Sequence, residues 1–277
     1  MRRALLLSIP LLLSCTAEVE GELPTHDVVL TTLSFARAAD GVSVGFDLDG
    51  RTSSSDDPEG CGKADFVSPE GDAGIDNATS GLMGLLELTE AVAVEPLIQQ
   101  TINSGELLVA MELVGLDDPL NDDSVDVWLW QALGSPYIGN DGRIEPGQTL
   151  ERDLSLDPSI VQDVAVVDGV LEARGFNMRL PIQIFDAAID LTIENAALRL
   201  NIDPDGAHHG VLAGAFQWDG LLATLSMAAI DPSLQDSLPS LFSSMSDMQD
   251  EQGVCRVMSA TLAFDATDSF FFDDAAE

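Results

Sequence analysis

From residue 106 to residue 218 the chain alternates apolar and polar positions with period two in one short run after another, the pattern of strands with one face buried. The runs 106–116 (ELLVAMELVGL) and 124–133 (SVDVWLWQAL) flank an acidic turn and are expected to pair. Further strands are predicted at 160–167, 170–176, 179–184, 189–202 and 210–218, the last two joined by the hairpin signal Asp203-Pro204-Asp205-Gly206. Residues 28–38 and 42–48 read as a hairpin around Ala39-Asp40-Gly41, and one more strand is expected at 254–264. The period lengthens in two places. Leu82, Leu85 and Leu86, then Leu97, Ile98, Thr101 and Ile102, fall at helical spacing within 79–104, with Pro96 dividing two helices and Gly105 as a stop. A second helical patch covers 221–248. Residues 49–77 have no apolar period, which is long for a connection inside a compact domain unless it is stapled, metal-held or functional. The expected fold is mainly β, with antiparallel sheet or sheets forming a sandwich or a curved sheet and a few packed α-helices. It occupies a single domain over 27–267, followed by an acidic tail at 268–277.

The first residues do not belong to that domain. Arg2 and Arg3 precede an apolar run that ends in Leu12-Leu13-Ser14-Cys15, the order of an export signal, and the run is about half the length a membrane-spanning helix needs. Those last four residues resemble a bacterial lipobox. The resemblance implies cleavage after residue 14 and acylation of Cys15, which would make the protein a membrane-anchored lipoprotein of the cell envelope. Thr16 in place of an aspartate favours the outer membrane, on its periplasmic or surface face. Residues 15–26 then form an acidic tether.

Composition narrows the partners. Eleven Lys and Arg against 48 Asp and Glu leave a net charge of −37, which repels nucleic-acid phosphates, so nucleic acid is excluded as a partner. Asp outnumbers Glu by 32 to 16, and Asp favours turns and caps, in keeping with many strands joined by polar turns.

With Cys15 committed to lipid, Cys61 and Cys255 remain in an oxidising compartment, and a disulfide between them is expected over two separate thiols. Candidate chemistry is otherwise thin. Gly41-Val42-Ser43-Val44-Gly45 matches the G-x-S-x-G pattern of a hydrolase nucleophile with His208 or His209 as base, yet strand alternation continues after it where an elbow would turn into a helix. His208 and His209 follow a hairpin glycine and are expected to face solvent. Trp128 and Trp130 share one strand face, as a ligand platform or as packing. Acidic clusters at Asp47/Asp49, Asp56/Asp57/Glu59, Asp117/Asp118 with 121–123, and Asp72/Asp76/Asn77 suit a hard cation, although none is an EF-hand loop. If Cys61 pins the aperiodic segment and Phe66 docks on the core, calcium would be held by Asp65, Asp72, Asp76 and Asn77.

The segment Cys61-Gly62-Lys63-Ala64-Asp65-Phe66-Val67-Ser68-Pro69-Glu70-Gly71, followed by Gly74-Ile75-Asp76-Asn77, resembles a group of acidic predicted bacterial lipoproteins carrying C-G-x-x-D-F-x-S-P-x-G and G-I-D-N. That resemblance extends to 116–127 and 167–176. It supports the location and the disulfide but brings no activity. The expectation is therefore a lipid-anchored, non-catalytic binding or structural module with an unidentified protein or ligand partner. A hydrolase with an unlocated site, or a carrier of lipid or another apolar ligand, is the alternative.

Overall fold

A computed structural model describes residues 23–88, 94–184, 187–219, 222 and 232–272. The signal segment, Cys15, most of the tether, and parts of the two helical regions and of the tail lie outside the described residues. In chain order the elements are β1 (Thr25–Phe35), β2 (Phe66–Val67), β3 (Ala73–Ile75), α1 (Ala78–Leu88), α2 (Val94–Ser104), β4 (Leu108–Val114), β5 (Asn121–Leu133) and β6 (Gln148–Arg152). There follow β7 (Ser159–Val167), β8 (Val170–Ile184), β9 (Ala187–Asn201), β10 (Ala207–Gln217), α3 (Pro232–Met245), β11 (Met248–Gln249) and β12 (Cys255–Phe272).

The sheet is mainly antiparallel, as the alternation predicts, and its form is more specific than the expected sandwich or curved sheet. Neighbouring strands pair in the order β1, β4, β5, β7, β8, β9, β10, β12, and β12 pairs back with β1, so eight antiparallel strands close a barrel. An even number of strands lets every neighbour be antiparallel, and closure removes the free edges an open sheet would expose. The register brings one apolar face of each strand together around the ring. Leu33 faces Phe264, Phe264 faces Gly210, Leu212 faces Leu198, Leu198 faces Ala173, and Met111 faces Leu129. Apart from Gly210, these residues join a single buried cluster that fills the barrel. Ile98 and Ile102 of α2 belong to it, and α2 touches β1 and β8, which stand on opposite sides of the ring, so the helix lies across the interior at one end.

Two long stretches cover the outer wall. Residues 36–77 lie over β9, β10 and β12, where the outward-facing Ala197 and Ala213 meet Phe46 and Leu48. This is why the expected hairpin between 28–38 and 42–48 does not form. The turn exists, with Ala39 and Val42 exchanging two backbone hydrogen bonds of 2.9 Å, but β1 is already paired on both sides, by β4 and β12, and the chain peels away onto the wall. A second cover consists of β6 and the end of β12. Arg152 forms a salt bridge with the outward-facing Glu112 and sits 5.9 Å from the rings of both Trp130 and Phe271. This flap was not predicted, and Phe270 to Phe272, assigned from sequence to the tail, are strand residues paired in parallel with β6. Pro96 lies in the first turn of α2, where its missing N–H is harmless, and Gly105 ends that helix with φ of +84°. Among the described residues no helix is long and apolar enough to cross a membrane.

Candidate functional site

The outer cover holds the densest group of buried polar residues. Cys61 and Cys255 form a disulfide, with Cα atoms 5.7 Å apart, that fastens the aperiodic segment to the start of β12. Elsewhere in the outer cover, Phe46 is sealed between the wall and the guanidinium groups of Arg174 and Arg199, 4.7 and 5.0 Å from its ring centre. Both arginines also bind Glu172, and although burial alone would raise that carboxyl, the two bonds hold it below its ordinary range. The expected anchor, Phe66, is only half-buried, in the short β2–β3 ribbon. Phe46 was missed because it lies in an alternating run that reads as an ordinary strand.

Next to Phe46 the carboxylates gather. Asp76 is 3% exposed and accepts the Leu48 N–H through Oδ2 at 2.7 Å; burial pushes its carboxyl up to about 8, and the nearby Asp49, Asp247 and Asp65 add to the rise. Asp247, two residues past α3, is pushed up to about 6, again chiefly by burial, while the backbone N–H and the hydroxyl of Ser259 donate to it. Asp47, Asp49 and Asp76 each offer an oxygen within 4.8 Å of the others, a donor set of the kind a hard cation takes. Asp47 and Asp49 already accept the backbone N–H of Arg51. Asp65, Asp76 and Asp247 line a cleft of about 200 Å³, along with Asn77 and the sole lysine, Lys63.

The residues expected to bind calcium are therefore brought together only in part. Asp65 and Asp76 share the cleft. Asn77 also lines it, but with its amide engaged, donating to the Ala36 carbonyl and to Ser43 Oγ and accepting from the Thr79 hydroxyl. Asp72 is exposed on the β2–β3 turn, which it closes with Ser68. The nearer partners of Asp76 are Asp47 and Asp49, assigned from sequence to a separate cluster because the fold-back that joins them is a tertiary event.

The G-x-S-x-G match has a packing explanation. Gly41, with φ of +79°, makes the turn, and a Cβ on Gly45 would come within 2.9 Å of Ile75 and 3.0 Å of Thr261. Ser43 is buried, donating to the Val44 carbonyl at 2.8 Å and accepting from Asn77 at 2.9 Å. Its supposed base is elsewhere. His208 was expected in solvent but is buried in the barrel wall, while His209 faces out. His208 Nε2 lies 2.8 Å from Asp268 Oδ1, which is also 3.0 Å from His26 Nε2. His26, at the end of the expected tether, lies in β1 and pairs with Leu113 of β4. These three side chains have the proximity of metal ligands. However, His208 Nδ1 accepts the Asp203 N–H at 3.1 Å, which in the neutral ring leaves the proton on Nε2, pointing at the carboxylate. The arrangement is a hydrogen-bonded clamp that ties the start of β1 to β10 and β12.

No family model matches the chain, and no curated protein or solved structure matches it.

A second cleft, of about 310 Å³, opens in the wall where β7 and β8 diverge after two paired positions. Val109, Leu129 and Met178 form its apolar floor, and Ser159, Asn177, Arg179 and Thr192 supply polar groups. Trp130 borders it, stacked on Trp128 at 5.9 Å, so the tryptophan pair combines packing against the flap with one edge of this cleft.

Proposed function

We propose that the protein is a bacterial lipoprotein of the cell envelope, anchored in the outer membrane through acylated Cys15, and that its filled barrel is a non-catalytic binding module. The observation that carries the reading is the pairing of Cys61 with Cys255, which leaves Cys15 as the remaining cysteine of the sequence. A disulfide spanning 194 residues suits an exported protein, and the first strand among the described residues begins at Thr25, ten residues after Cys15. The binding role is supported by the wall cleft, whose volume lies at the lower end of the small-ligand range and whose apolar floor and polar rim are the usual composition of such sites. A carrier of long apolar chains would use the barrel interior, and here that interior is occupied by α2 and its neighbours. Fractionation of cells making the wild type and Cys15→Ala tests the anchor. The wild type is expected with the membranes, and the variant in the soluble fraction or as an uncleaved precursor. Unchanged membrane association of Cys15→Ala with a cleaved N-terminus would overturn the reading.

A further inference from the structure

The flap over β1, β4 and β5 ends in three consecutive phenylalanines, and alternation divides them. Phe271 turns toward the wall, with its ring beside Arg152 and its N–H on Asp27 Oδ2 at 3.1 Å. Phe270 and Phe272 therefore face outward, 61% and 43% exposed. Leu133 stands opposite Glu151, which stands opposite Phe272, and Tyr137 is bonded through its backbone N–H and carbonyl to the side chain of Gln148, the partner of Ser269. Tyr137 is 80% exposed. Three of only fifteen aromatic residues thus stand in water on or beside this flap, a clustering of exposed apolar groups of the kind that marks interaction sites.

The place of this surface says what covers it. Asp27, which holds Phe271, lies four residues from Leu23, and Leu23 is the eighth residue after Cys15. Fully extended, eight residues reach at most about 28 Å, so an acyl chain on Cys15 keeps the flap within reach of the headgroup layer. Aromatic rings favour that layer, where the ring is buried and polar edges stay wet. The acid excess of the chain disfavours an anionic lipid surface, so the matching surface is zwitterionic.

We propose that Leu133, Tyr137, Phe270 and Phe272 form a docking surface for the interfacial layer of a zwitterionic phospholipid bilayer, holding the barrel against the membrane to which Cys15 tethers it. This rests on the lipid-anchor reading. The test uses full-length protein purified from membranes, with the mass of its N-terminal peptide recorded, and incorporated into phosphatidylcholine vesicles brominated near the headgroup. Phe270→Trp and Tyr137→Trp place reporters in the patch, and Val254→Trp places one just before the opposite end of β12. With Cys15 acylated, the fluorescence added by either patch substitution is expected to fall by about half, and that added at position 254 by less than about a tenth, because quenching needs contact with the interfacial layer. Equal quenching at both ends, or none, with Cys15 acylated would overturn the docking surface and leave the anchor standing. A dimer in detergent with unquenched patch reporters would also overturn it, assigning the patch to a second copy of the chain. An unmodified Cys15 would overturn the anchor and the docking surface together.

Discussion

The backbone N–H of Leu48 donates to Asp76 Oδ2 at 2.7 Å, joining two parts of the outer cover that stand 28 residues apart. The bond suits either protonation state, but the charge does not suit the site. Burial raises Asp76 to about 8, so folding favours its protonated form. The stabilisation from that proton is fully present below the ordinary value of 3.8 and is lost as pH rises through about 8. Asp247 acts in the same sense over the narrower window up to about 6. Unfolding free energy is therefore expected to rise when pH falls from 8 to 5, by up to about 1.4 kcal/mol per pH unit for one proton. Asp76→Asn should flatten most of that slope in urea titrations at several pH values. A slope unchanged in the variant would assign the effect to general charge repulsion.

Reduction of the Cys61–Cys255 bond, or the paired Ser substitutions, should lower stability by about 2–5 kcal/mol, since the bond closes a 194-residue segment. Hydrogen exchange should show the loss first in residues 49–77, which have little regular structure to hold them. Exchange rising equally everywhere would mean that the cover and barrel unfold as one unit.

Phe46→Ala should cost about 3–5 kcal/mol, because it removes a fully buried ring and leaves Arg174 and Arg199 over a cavity. Phe66→Ala, at a half-buried position, should cost less than half as much. Denaturant midpoints of the two variants decide between the observed anchor and the one expected from sequence.

Much of the wall was legible in the sequence because each inward position is fixed by alternation, and the pairs β4–β5 and β9–β10 follow from short acidic turns between them. Closure was not legible. It depends on β12 meeting β1 across most of the chain, and nothing local in residues 28–35 or 262–268 specifies that contact. The flap was missed because β6 is short and because Phe270 to Phe272 sit among acidic residues that read as a tail. His208 was misplaced for a related reason. Its neighbours describe a turn, while its burial comes from Asp268 and His26, sixty and 182 residues away.

Ser43 should not react with a fluorophosphonate probe, since its hydroxyl is buried and both its bonds are taken by Val44 and Asn77. Labelling of the wild type that disappears in Ser43→Ala would restore the hydrolase alternative.

The most direct test of the account is the mass of the N-terminal peptide of the protein isolated from bacterial membranes. A peptide beginning at Cys15 and carrying a diacylglyceryl group, with or without a third acyl chain, is the predicted result. A peptide that begins at Cys15 or elsewhere without lipid would contradict it.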